Sequence, residues 1–435
     1  MALGGGGWVV QNKIMPGAYI NFVSVPRPSN IFGERGYAAI AIEMDWGQDG
    51  LFPIDPADFQ QASLETFGYS YIDDKLRPIR EICMYAKEVY LYRLNSGGEK
   101  ATATLGTLTV NAKYGGISGN TLMVMIKPDI DDTSKFEVVT MMGENKVDSQ
   151  YISTLDELKE NKFVTFKGTG VPEPNVGTLL KGGTNGTVTV ESHASFLEEL
   201  EKEYFNVVGY AGTDDTTKRL YEAYIKRLRD LEGIKCQAVI YDRPANHEGI
   251  INLMGKAEED ETGLVPWVTG AEAGCQINRS LTNRIYDGEY TVLADYKQRE
   301  LKESIEKGFL MFHKVRDEAR VLVDINSFTE FELLKNEDFS KNQVIRVLDE
   351  VGMSCAKIFN DRYLGKVQNN AEGRIALWDD FVAHARQLMQ LGAIEDFVAE
   401  DIKVERGLAK DSVLADYLIK PVEAMAKLYM NVRVA

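Results

Sequence analysis

Cys236-Gln-Ala-Val-Ile-Tyr241 is a short, mostly apolar run that predicts a strand buried on both faces. Directly before it, residues 217–231 place apolar side chains at helical spacing with charged side chains between them, which predicts an amphipathic helix. A helix that alternates with a buried strand is typical of α/β layers. The alternation continues through predicted helices at 196–205, 269–279 and 297–307 and predicted strands at 290–293 and 321–325.

The residues upstream of this section show two patterns. Apolar runs at 38–44 and 88–93 predict strands, and residues 56–67, with Asp58 in the first turn, predict a helix. Residues 97–183 are instead rich in Thr, Val and Gly with a period of two, and turn clusters separate their strand-like runs, such as 101–110 and 121–126. This second pattern predicts a small, mostly β domain inserted into the α/β section.

Downstream, apolar residues recur at helical spacing from Val344 to Phe359 and predict a long helix, with Asp338, Ser340 and Asn342 as candidate caps. A second helix is predicted at 374–391, and strands are predicted at 402–404 and 413–419. We therefore predict a multidomain chain of mixed α/β (α+β) class.

Both ends of the sequence are strand-like. Residues 19–25 are apolar between Pro-Gly and Pro-Arg-Pro, and in residues 428–434 apolar side chains alternate with Tyr429, Asn431 and Arg433. Chain ends tend to fray unless a sheet holds them, so we expect each end to pair with a sheet. The pattern leaves open whether that sheet belongs to the same subunit or to another.

The composition is that of a soluble globular protein. The chain has 435 residues, 44% hydrophobic and 26% charged, and a formal net charge of −17, with no run of basic residues. This charge disfavours nucleic acid as a partner, and no apolar stretch is long enough for membrane insertion. The four cysteines are far apart in the sequence, which favours core thiols in a reducing cytoplasm.

Motifs for catalysis, cofactors and metals are missing from the sequence. The glycine runs lack the fingerprints of phosphate-binding loops, and the four histidines are too scattered to predict a metal site. We interpret His247-Glu248 as a surface pair. The alternative to a structural protein is an α/β enzyme with a β substrate-binding insertion, whose cleft would contain Asp242, Arg243 and His247 at the end of a strand.

Several segments occur in an order that resembles a known family. They are Met15-Pro-Gly-Ala-Tyr-Ile-Asn-Phe22, Gly115-Gly-Ile-Ser-Gly-Asn-Thr-Leu-Met-Val124, Leu180-Lys-Gly-Gly-Thr-Asn-Gly186, Val265-Pro-Trp-Val-Thr-Gly-Ala-Glu-Ala-Gly274 and Asn342-Gln-Val-Ile-Arg-Val-Leu-Asp349, followed by residues 420–434. Together they resemble the tail sheath protein of contractile-tailed bacteriophages, in the short form found in Gram-positive phages, prophages and phage-tail-like bacteriocins. The resemblance spans essentially the whole chain, but residues 1–11 match nothing in the family pattern.

The resemblance implies a structural subunit and no cofactor. Sheath proteins of this kind stack as six-subunit rings in a helical cylinder around an inner tail tube, and they contract to drive the tube through a cell envelope. The implied partners are other copies of the chain, the tube protein, and the baseplate and tail terminator proteins. The implied location is the virion tail or a phage-tail-like particle, assembled in the host bacterial cytoplasm.

The resemblance also implies roles for individual residues. Both chain ends are exchanged between subunits, so that strands from two neighbours complete a small sheet on a third. The exchanged residues are Tyr19, Ile20, Asn21, Phe22, Val23, Leu428, Met430, Val432 and Val434. Candidate hinges between these arms and the body are Pro26, Pro28, Gly33, Gly407 and Pro421, and candidate tube-facing residues are Asn342, Arg346, Lys357 and Arg374.

We expect five parts in the chain. Residues 1–30 form an N-terminal arm, and residues 31–96 with 184–335 form an α/β middle domain. Residues 97–183 form the inserted, mostly β domain, which by the resemblance lies on the outside. Residues 336–410 form a C-terminal core domain that faces the tube, and residues 411–435 form a C-terminal strand arm.

Overall fold

The structure is a computed structural model that describes residues 35–130, 132 and 134–434. The chain divides into two compact units. The described part of the first unit is Ala39–Tyr204, and that of the second is residues 35–38 and 205–434. Mixed helices and several sheets occur across the units, which confirms the α+β, multidomain prediction.

The first unit opens with strands in the order β1-β3-β2, of which β2 and β3 are antiparallel. The Asp55 side chain caps α1 by accepting a hydrogen bond from the backbone N–H of Ala57, and Gly68 ends this helix with a positive φ of 76°. The predicted bounds of α1 and β3 match the structure. The elements are β1 Tyr37–Ile42, β2 Leu51–Ile54, α1 Pro56–Phe67, α2 Arg77–Cys83 and β3 Glu88–Arg93.

A β-sandwich follows in the same unit. Its sheets have the strand orders β4-β5-β9 and β10-β6-β7-β8. The expected strand at 101–110 is instead a hairpin that turns at Gly106. The alternation of apolar and Thr residues shifts by one position at this turn, between Leu105 and Leu108, and the prediction missed the shift. The strands are β4 Lys100–Leu105, β5 Leu108–Gly115, β6 Leu122–Pro128, β7 Phe136–Met142, β8 Asn145–Ile152, β9 Val164–Lys167 and β10 Asn175–Leu179.

Two residues from upstream of the sandwich complete its core. Trp46 and Leu64 are buried in the same apolar cluster as the inward-facing strand residues. The Trp46 ring lies edge-on to Tyr114, with 5.2 Å between centroids, and is stacked with Phe163 at 6.4 Å. The sandwich therefore does not bury its core with its own residues alone.

The first unit closes with α3, Val190–Leu200, where a helix was expected at 196–205. Thr189 caps this helix by accepting a hydrogen bond from the N–H of Ser192. The helix was predicted from the spacing of its apolar residues, and the first turn of α3 has few of them. The prediction therefore missed a start that the Thr189 cap defines.

The second unit contains a parallel sheet with the strand order β11-β12-β13-β16. The helix predicted directly before Cys236 is α4, which continues into a π-helical turn over Arg227–Glu232. The elements are β11 Val207–Tyr210, α4 Asp215–Lys226, β12 Gln237–Tyr241, β13 Ile250–Leu253, β14 Lys256–Ala257, α5 Leu264–Gly274, β15 Val292–Leu293, α6 Gln298–Glu306, β16 Phe309–Leu310, β17 Phe312–Val315 and β18 Glu318–Val321.

The predicted bounds of one helix and one strand in this unit differ from the observed bounds. The helix expected at 269–279 is α5, which starts at Leu264 and is buried almost all round, so no polar face marks its ends in the sequence. The strand expected at 321–325 is β18, which ends at Val321. Of the apolar residues after it, Ile325 is buried and Leu322 and Val323 are half-buried, all in irregular structure. A short apolar run does not distinguish such a segment from a strand.

The end of the second unit consists of α7 Asn342–Ile358, α8 Ala371–Gln390, β19 Ile402–Arg406 and β20 Val413–Tyr417. Asn370 caps α8, but α7 follows Lys341 without a side-chain cap. Of the expected caps, Asp338 and Ser340 lie in a preceding 3-10 turn and Asn342 is already helical. Among the described residues, no helix is both long and apolar enough to span a membrane.

Candidate assembly interface

The hairpin β19–β20 packs on the apolar core that α7 and α8 form together. Trp378 of α8 donates a hydrogen bond from Nε1 to the carbonyl oxygen of Ile402 at 2.8 Å. Val404, Val413 and Tyr417 are partly buried against the same core. One face of the hairpin is therefore covered, and the alternate residues of both strands are mostly exposed.

Within the described part of the chain, β19 and β20 form a sheet of two strands only. The N–H of Gly407 donates to the carbonyl oxygen of Ser412 at 2.9 Å and closes the turn between them. Gly407 thus lies inside a paired hairpin and not between the body and an arm. The expectation of a hinge at Gly407 is wrong for this reason.

The segment after β20 is held to the body by backbone hydrogen bonds. The N–H of Leu418 donates to Asp401 O at 2.9 Å, and the N–H of Val422 donates to Ala393 O at 3.0 Å. Pro421, which lies between Leu418 and Val422, forms an isolated antiparallel bridge with Ile394. Its backbone is fixed on both sides, so the expected hinge at Pro421 is also wrong.

Residues 425–434, which we call the C-terminal arm, contrast with that segment. No helix or strand is assigned to them, and all are exposed. Their large apolar side chains are at least 71% exposed, which includes the predicted exchange residues Leu428, Met430, Val432 and Val434. Tyr429, on the opposite side of the alternation, is exposed as well. The described part of the chain thus covers neither face of the arm.

Two of the four expected tube-facing residues are buried. The guanidinium of Arg346 forms ion pairs with Glu272 at 2.5 Å and Asp324 at 2.7 Å, and all three side chains are at most 1% exposed. The Asn342 amide donates to Glu272 at 3.2 Å and to Asp324 at 2.9 Å. Asn342 and Arg346 therefore point into the subunit, and the expectation that they face a tube is wrong.

Burial controls the ionisation of this cluster. Burial, together with the Asp324 charge, raises the pKa of Glu272 well above its usual value. Burial opposes the charged form of Asp324 too, but Arg346 and several hydrogen bonds outweigh it and keep the pKa of Asp324 below its usual value. Asp324 thus carries the buried negative charge that Arg346 compensates, and removing that cation would leave this charge without a partner.

The other two expected tube-facing residues are accessible. The Lys357 side chain is 77% exposed and pairs with Asp361 at 2.7 Å. Arg374 is half-buried and donates to the side chain of Asn369 at 3.0 Å. Both lie near the turn between α7 and α8, so their expected role stays a prediction.

The residues of the enzyme alternative do not meet in one cleft. Asp242 and Arg243 follow β12 at the carboxyl end of the parallel sheet, whereas His247 precedes β13 at the amino end. Arg243 is engaged in an ion pair with Glu222 at 2.5 Å. His247 and Glu248 are also buried, which corrects their interpretation as a surface pair.

One cluster has metal-binding side-chain types. Asp230, His247 and Glu248 bring three potential ligand atoms within 4.8 Å of one another. His247 Nδ1 accepts a hydrogen bond from the Gly249 N–H, so its proton lies on Nε2, which donates to Asp230 at 3.1 Å. Glu248 pairs with Lys335 at 2.7 Å. These contacts account for all three side chains, and we infer no metal.

Comparisons with known proteins identify the family. Three family models match successive parts of the chain: the phage tail sheath protein beta-sandwich domain at residues 96–185, the central domain at 186–327 and the C-terminal domain at 334–435. The solved sheath tail protein of Desulfitobacterium hafniense is 35% identical, with a TM-score of 0.84 over 96% of this chain and 100% of that one. The chain belongs to the phage tail sheath protein family.

Two other proteins show the range of this similarity. The phage-like element PBSX protein XkdK of Bacillus subtilis is 31% identical to the sheath chain over 98% of both chains. The helical sheath of the anti-feeding prophage, solved in its contracted state, has a TM-score of 0.57 at 10% identity and covers 96% of this chain and 98% of that one, so it shares the fold. The sheath chain is a structural component of a phage tail or tail-like particle and not an enzyme.

The functional residues of a sheath chain are those that contact other subunits. The expected N-terminal exchange residues Tyr19, Ile20, Asn21, Phe22 and Val23 and the expected hinges Pro26, Pro28 and Gly33 lie outside the described residues. Sequence reasoning also missed Gln343, whose side chain contacts the segment that precedes the arm. Its one sequence signal is a polar residue beside the apolar Val344, which does not distinguish a buried amide from an exposed one.

Proposed function

We propose that this sheath subunit polymerises as stacked six-membered rings in a helical cylinder around an inner tail tube, and that the cylinder contracts to drive the tube through the target cell envelope. Two observations on the described residues carry the proposal: the strand-like arm is exposed and unpaired, and the hairpin has only two strands. Membership in the sheath family and the fold shared with a contracted sheath support it.

The hairpin has the properties of an acceptor for another strand. A two-stranded sheet is only marginally stable by itself and gains from a third strand. Adding a strand to its edge forms backbone hydrogen bonds that tolerate differences between side chains. On β19 the carbonyl of Ile402 already accepts a hydrogen bond from Trp378, so we propose the outer edge of β20 as the acceptor.

The arm has the properties of a donor. Its alternating Leu428, Met430, Val432 and Val434 would place four apolar side chains on one face of an added strand. Ten residues at roughly 3.3 Å each span about 33 Å when extended, which is long enough to reach a neighbouring subunit. Such a donor-to-acceptor contact uses two different surfaces and repeats without closing along the cylinder axis, which is the condition for a filament.

The remaining expectations complete the proposal. Tyr19, Ile20, Asn21, Phe22 and Val23 form a second exchanged strand, connected through hinges at Pro26, Pro28 and Gly33. Lys357 and Arg374 face the tube, and the expected five-part division, with an outward insertion, describes the subunit in the cylinder. The other partners are the baseplate and tail terminator proteins, and assembly takes place in the host bacterial cytoplasm.

Contraction then moves whole subunits while the exchanged strands stay paired. The extended and contracted cylinders differ in their contacts between bodies, and the extended one persists because conversion must spread along the cylinder from one end. Paired arms keep each subunit connected to its neighbours during this movement.

Removal of residues 428–435 tests the proposal. We expect the truncated chain to remain a folded monomer, with an unchanged melting temperature, that forms no cylinders in negative-stain electron microscopy. The matched control is the full-length chain with the arm's charged residues, Lys427 and Arg433, replaced by Gln. This variant should still assemble. Full-length cylinders from the truncated chain would refute strand exchange by the arm.

A further inference from the structure

We propose that Gln343 fixes the point where the C-terminal arm leaves the subunit, so that the arm starts at Met425 with a set position and length. The inference rests on the proposed strand exchange, because a defined starting point matters only if the arm must reach a neighbour. It assigns a positioning role to a residue in the first turn of α7, far in sequence from the arm.

The geometry of the Gln343 side chain supports this role. Its Nε2 donates to the carbonyl oxygen of Val422 at 3.0 Å, and its Oε1 accepts from the N–H of Ala424 at 3.0 Å. These two backbone groups point to the same side of an extended segment, as they do when a neighbouring strand bonds both. A single amide side chain thus takes the place of a strand partner.

Burial makes this contact specific. Gln343 is only 4% exposed, and a buried amide that lost its partners would be left without hydrogen bonds. The N–H of Val422 itself donates to Ala393 O at 3.0 Å. The backbone around Val422 is therefore held by α7 through Gln343 and by the turn after α8 through Ala393.

The contact with Ala424 is the last one before the arm. Met425, the next residue, is fully exposed, and no described residue after Ala424 takes part in a helix, a strand or an isolated bridge. Release of Gln343 would lengthen the free segment and loosen its direction. Both changes lower the effective concentration of the arm at a neighbour's acceptor edge and raise the entropy lost on pairing.

Gln343→Leu and Gln343→Glu separate the two hydrogen bonds. Leu removes both, whereas Glu keeps an acceptor for Ala424 N–H but cannot donate to Val422 O. Gln387→Leu and Gln387→Glu, at an exposed position of α8, are the matched controls. The measurement is hydrogen–deuterium exchange of the monomer at single-residue resolution, followed by the concentration needed for half-maximal cylinder assembly.

We expect the Ala424 amide to exchange about 3- to 10-fold faster in Gln343→Leu, as loss of one backbone hydrogen bond predicts, and near the wild-type rate in Gln343→Glu. The assembly concentration should rise at least about threefold in Gln343→Leu and stay unchanged in both controls. If Gln343→Leu does not fold, assembly of Gln343→Glu decides the question, because that variant keeps only half of the contact.

Two results would overturn the inference. Unchanged Ala424 exchange in Gln343→Leu would show that the side chain does not hold the segment. Faster exchange with wild-type assembly would show that the starting point of the arm does not matter. If the wild-type chain forms no cylinders, the proposed function fails, whereas the exchange measurement on the monomer still decides whether Gln343 holds Val422 and Ala424.

Discussion

Residues 342–351 and residues 425–434 are two ten-residue stretches of one family domain, and both mix apolar and polar side chains. In the first stretch nine residues are buried, including five with polar or charged side chains, and all five have hydrogen-bond or ion-pair partners. In the second stretch every residue is exposed. The first stretch finds its partners within the subunit, and we propose that the second finds them in a neighbour.

The comparison shows what makes a segment part of the body. Asn342 and Arg346 are polar, but Glu272 and Asp324 hold them inside. Leu428 and Val432 are apolar, but nothing in the described chain covers them. Polarity alone therefore does not assign a residue to the inside or the outside, because a buried charge with a partner and an exposed apolar strand can both be stable.

The largest effect should follow from removing the buried cation. We expect Arg346→Met to lower the free energy of unfolding by about 3–5 kcal/mol, because it leaves the Asp324 carboxylate buried without a counter-charge. Urea denaturation followed by circular dichroism measures this loss. Arg299→Met, at an exposed position of α6, is the control and should change stability by less than about 0.5 kcal/mol.

A double variant sharpens this test. Arg346→Met combined with Asp324→Asn removes the stranded carboxylate and should regain part of the loss. If Arg346→Met unfolds at the same urea concentration as Arg299→Met, the buried cluster does not stabilise the body, and the contrast between the two stretches loses its energetic basis.

A smaller loss is expected in the segment that links the body to the arm. Val422→Pro removes the N–H that donates to Ala393 O and should cost about 1–3 kcal/mol. The thermal unfolding midpoint of the monomer reports it. An unchanged midpoint would mean that this segment is not part of the body and that the arm starts earlier than residue 425.

The next effect concerns pH and should arise from the body alone. Burial, partly opposed by Glu248 and Asp230, lowers the pKa of His247 from 6.5, and Arg229 adds to the lowering. Below about pH 6.5 the unfolded chain therefore takes up a proton that the folded chain resists, so stability falls as the pH falls. His247→Gln should show a smaller drop in Tm between about pH 7.5 and pH 5.5 than the wild type.

His313→Gln is the matched control for that measurement. Burial and Arg320 also lower the pKa of His313, but its ring is less deeply buried than that of His247. Deletion of the arm, which contains neither histidine nor acidic residues, should leave the pH dependence unchanged. A wild-type slope in His247→Gln would contradict this assignment.

The smallest effect on the isolated subunit is expected in the arm. Tyr429→Pro and Met430→Pro should each change the free energy of unfolding by less than about 0.5 kcal/mol, because both residues are exposed. In assembly they should differ, since adjacent N–H groups of a strand point to opposite edges and only one faces the acceptor. Electron microscopy should show cylinders for one variant and none for the other.

Equal assembly of both arm variants would argue against a strand added by backbone hydrogen bonds. Loss of stability in either variant would show instead that the arm belongs to the body. These outcomes separate two explanations for the exposed apolar arm. If the arm pairs with a neighbour, the variants change only assembly, and if it packs on its own body, they change the stability of the monomer.

Much of the fold could be predicted from local patterns. The bounds of α1 and β3 match the structure, since Asp55, Pro56 and Gly68 mark the helix ends and Glu88–Arg93 is a compact strand-like run. The bounds of α5 could not be predicted because it is buried all round. The turn at Gly106 was missed although the apolar alternation shifts by one position there, because both flanking runs are equally rich in Thr and strand-like.

Less of the candidate site could be predicted. The strand-like alternation of the arm was visible, but the expected hinges at Gly407 and Pro421 were wrong because both residues are held by backbone pairing. The resemblance implied that Arg346 and Asn342 face the tube, but both are buried. Their partners Glu272 and Asp324 lie at least 18 residues away in the sequence, so no local pattern reveals them.

The sequence by itself determined the mixed α/β class, most of the helices, part of the strands, and the strand-like character of residues 428–434, because periodicity and turn residues act between neighbours along the chain. Only the tertiary structure decided which polar side chains of α7 are buried and where the body ends. Those features depend on partners such as Asp324 and Ala393, which folding alone brings close, and burial makes each such pairing costly to lose.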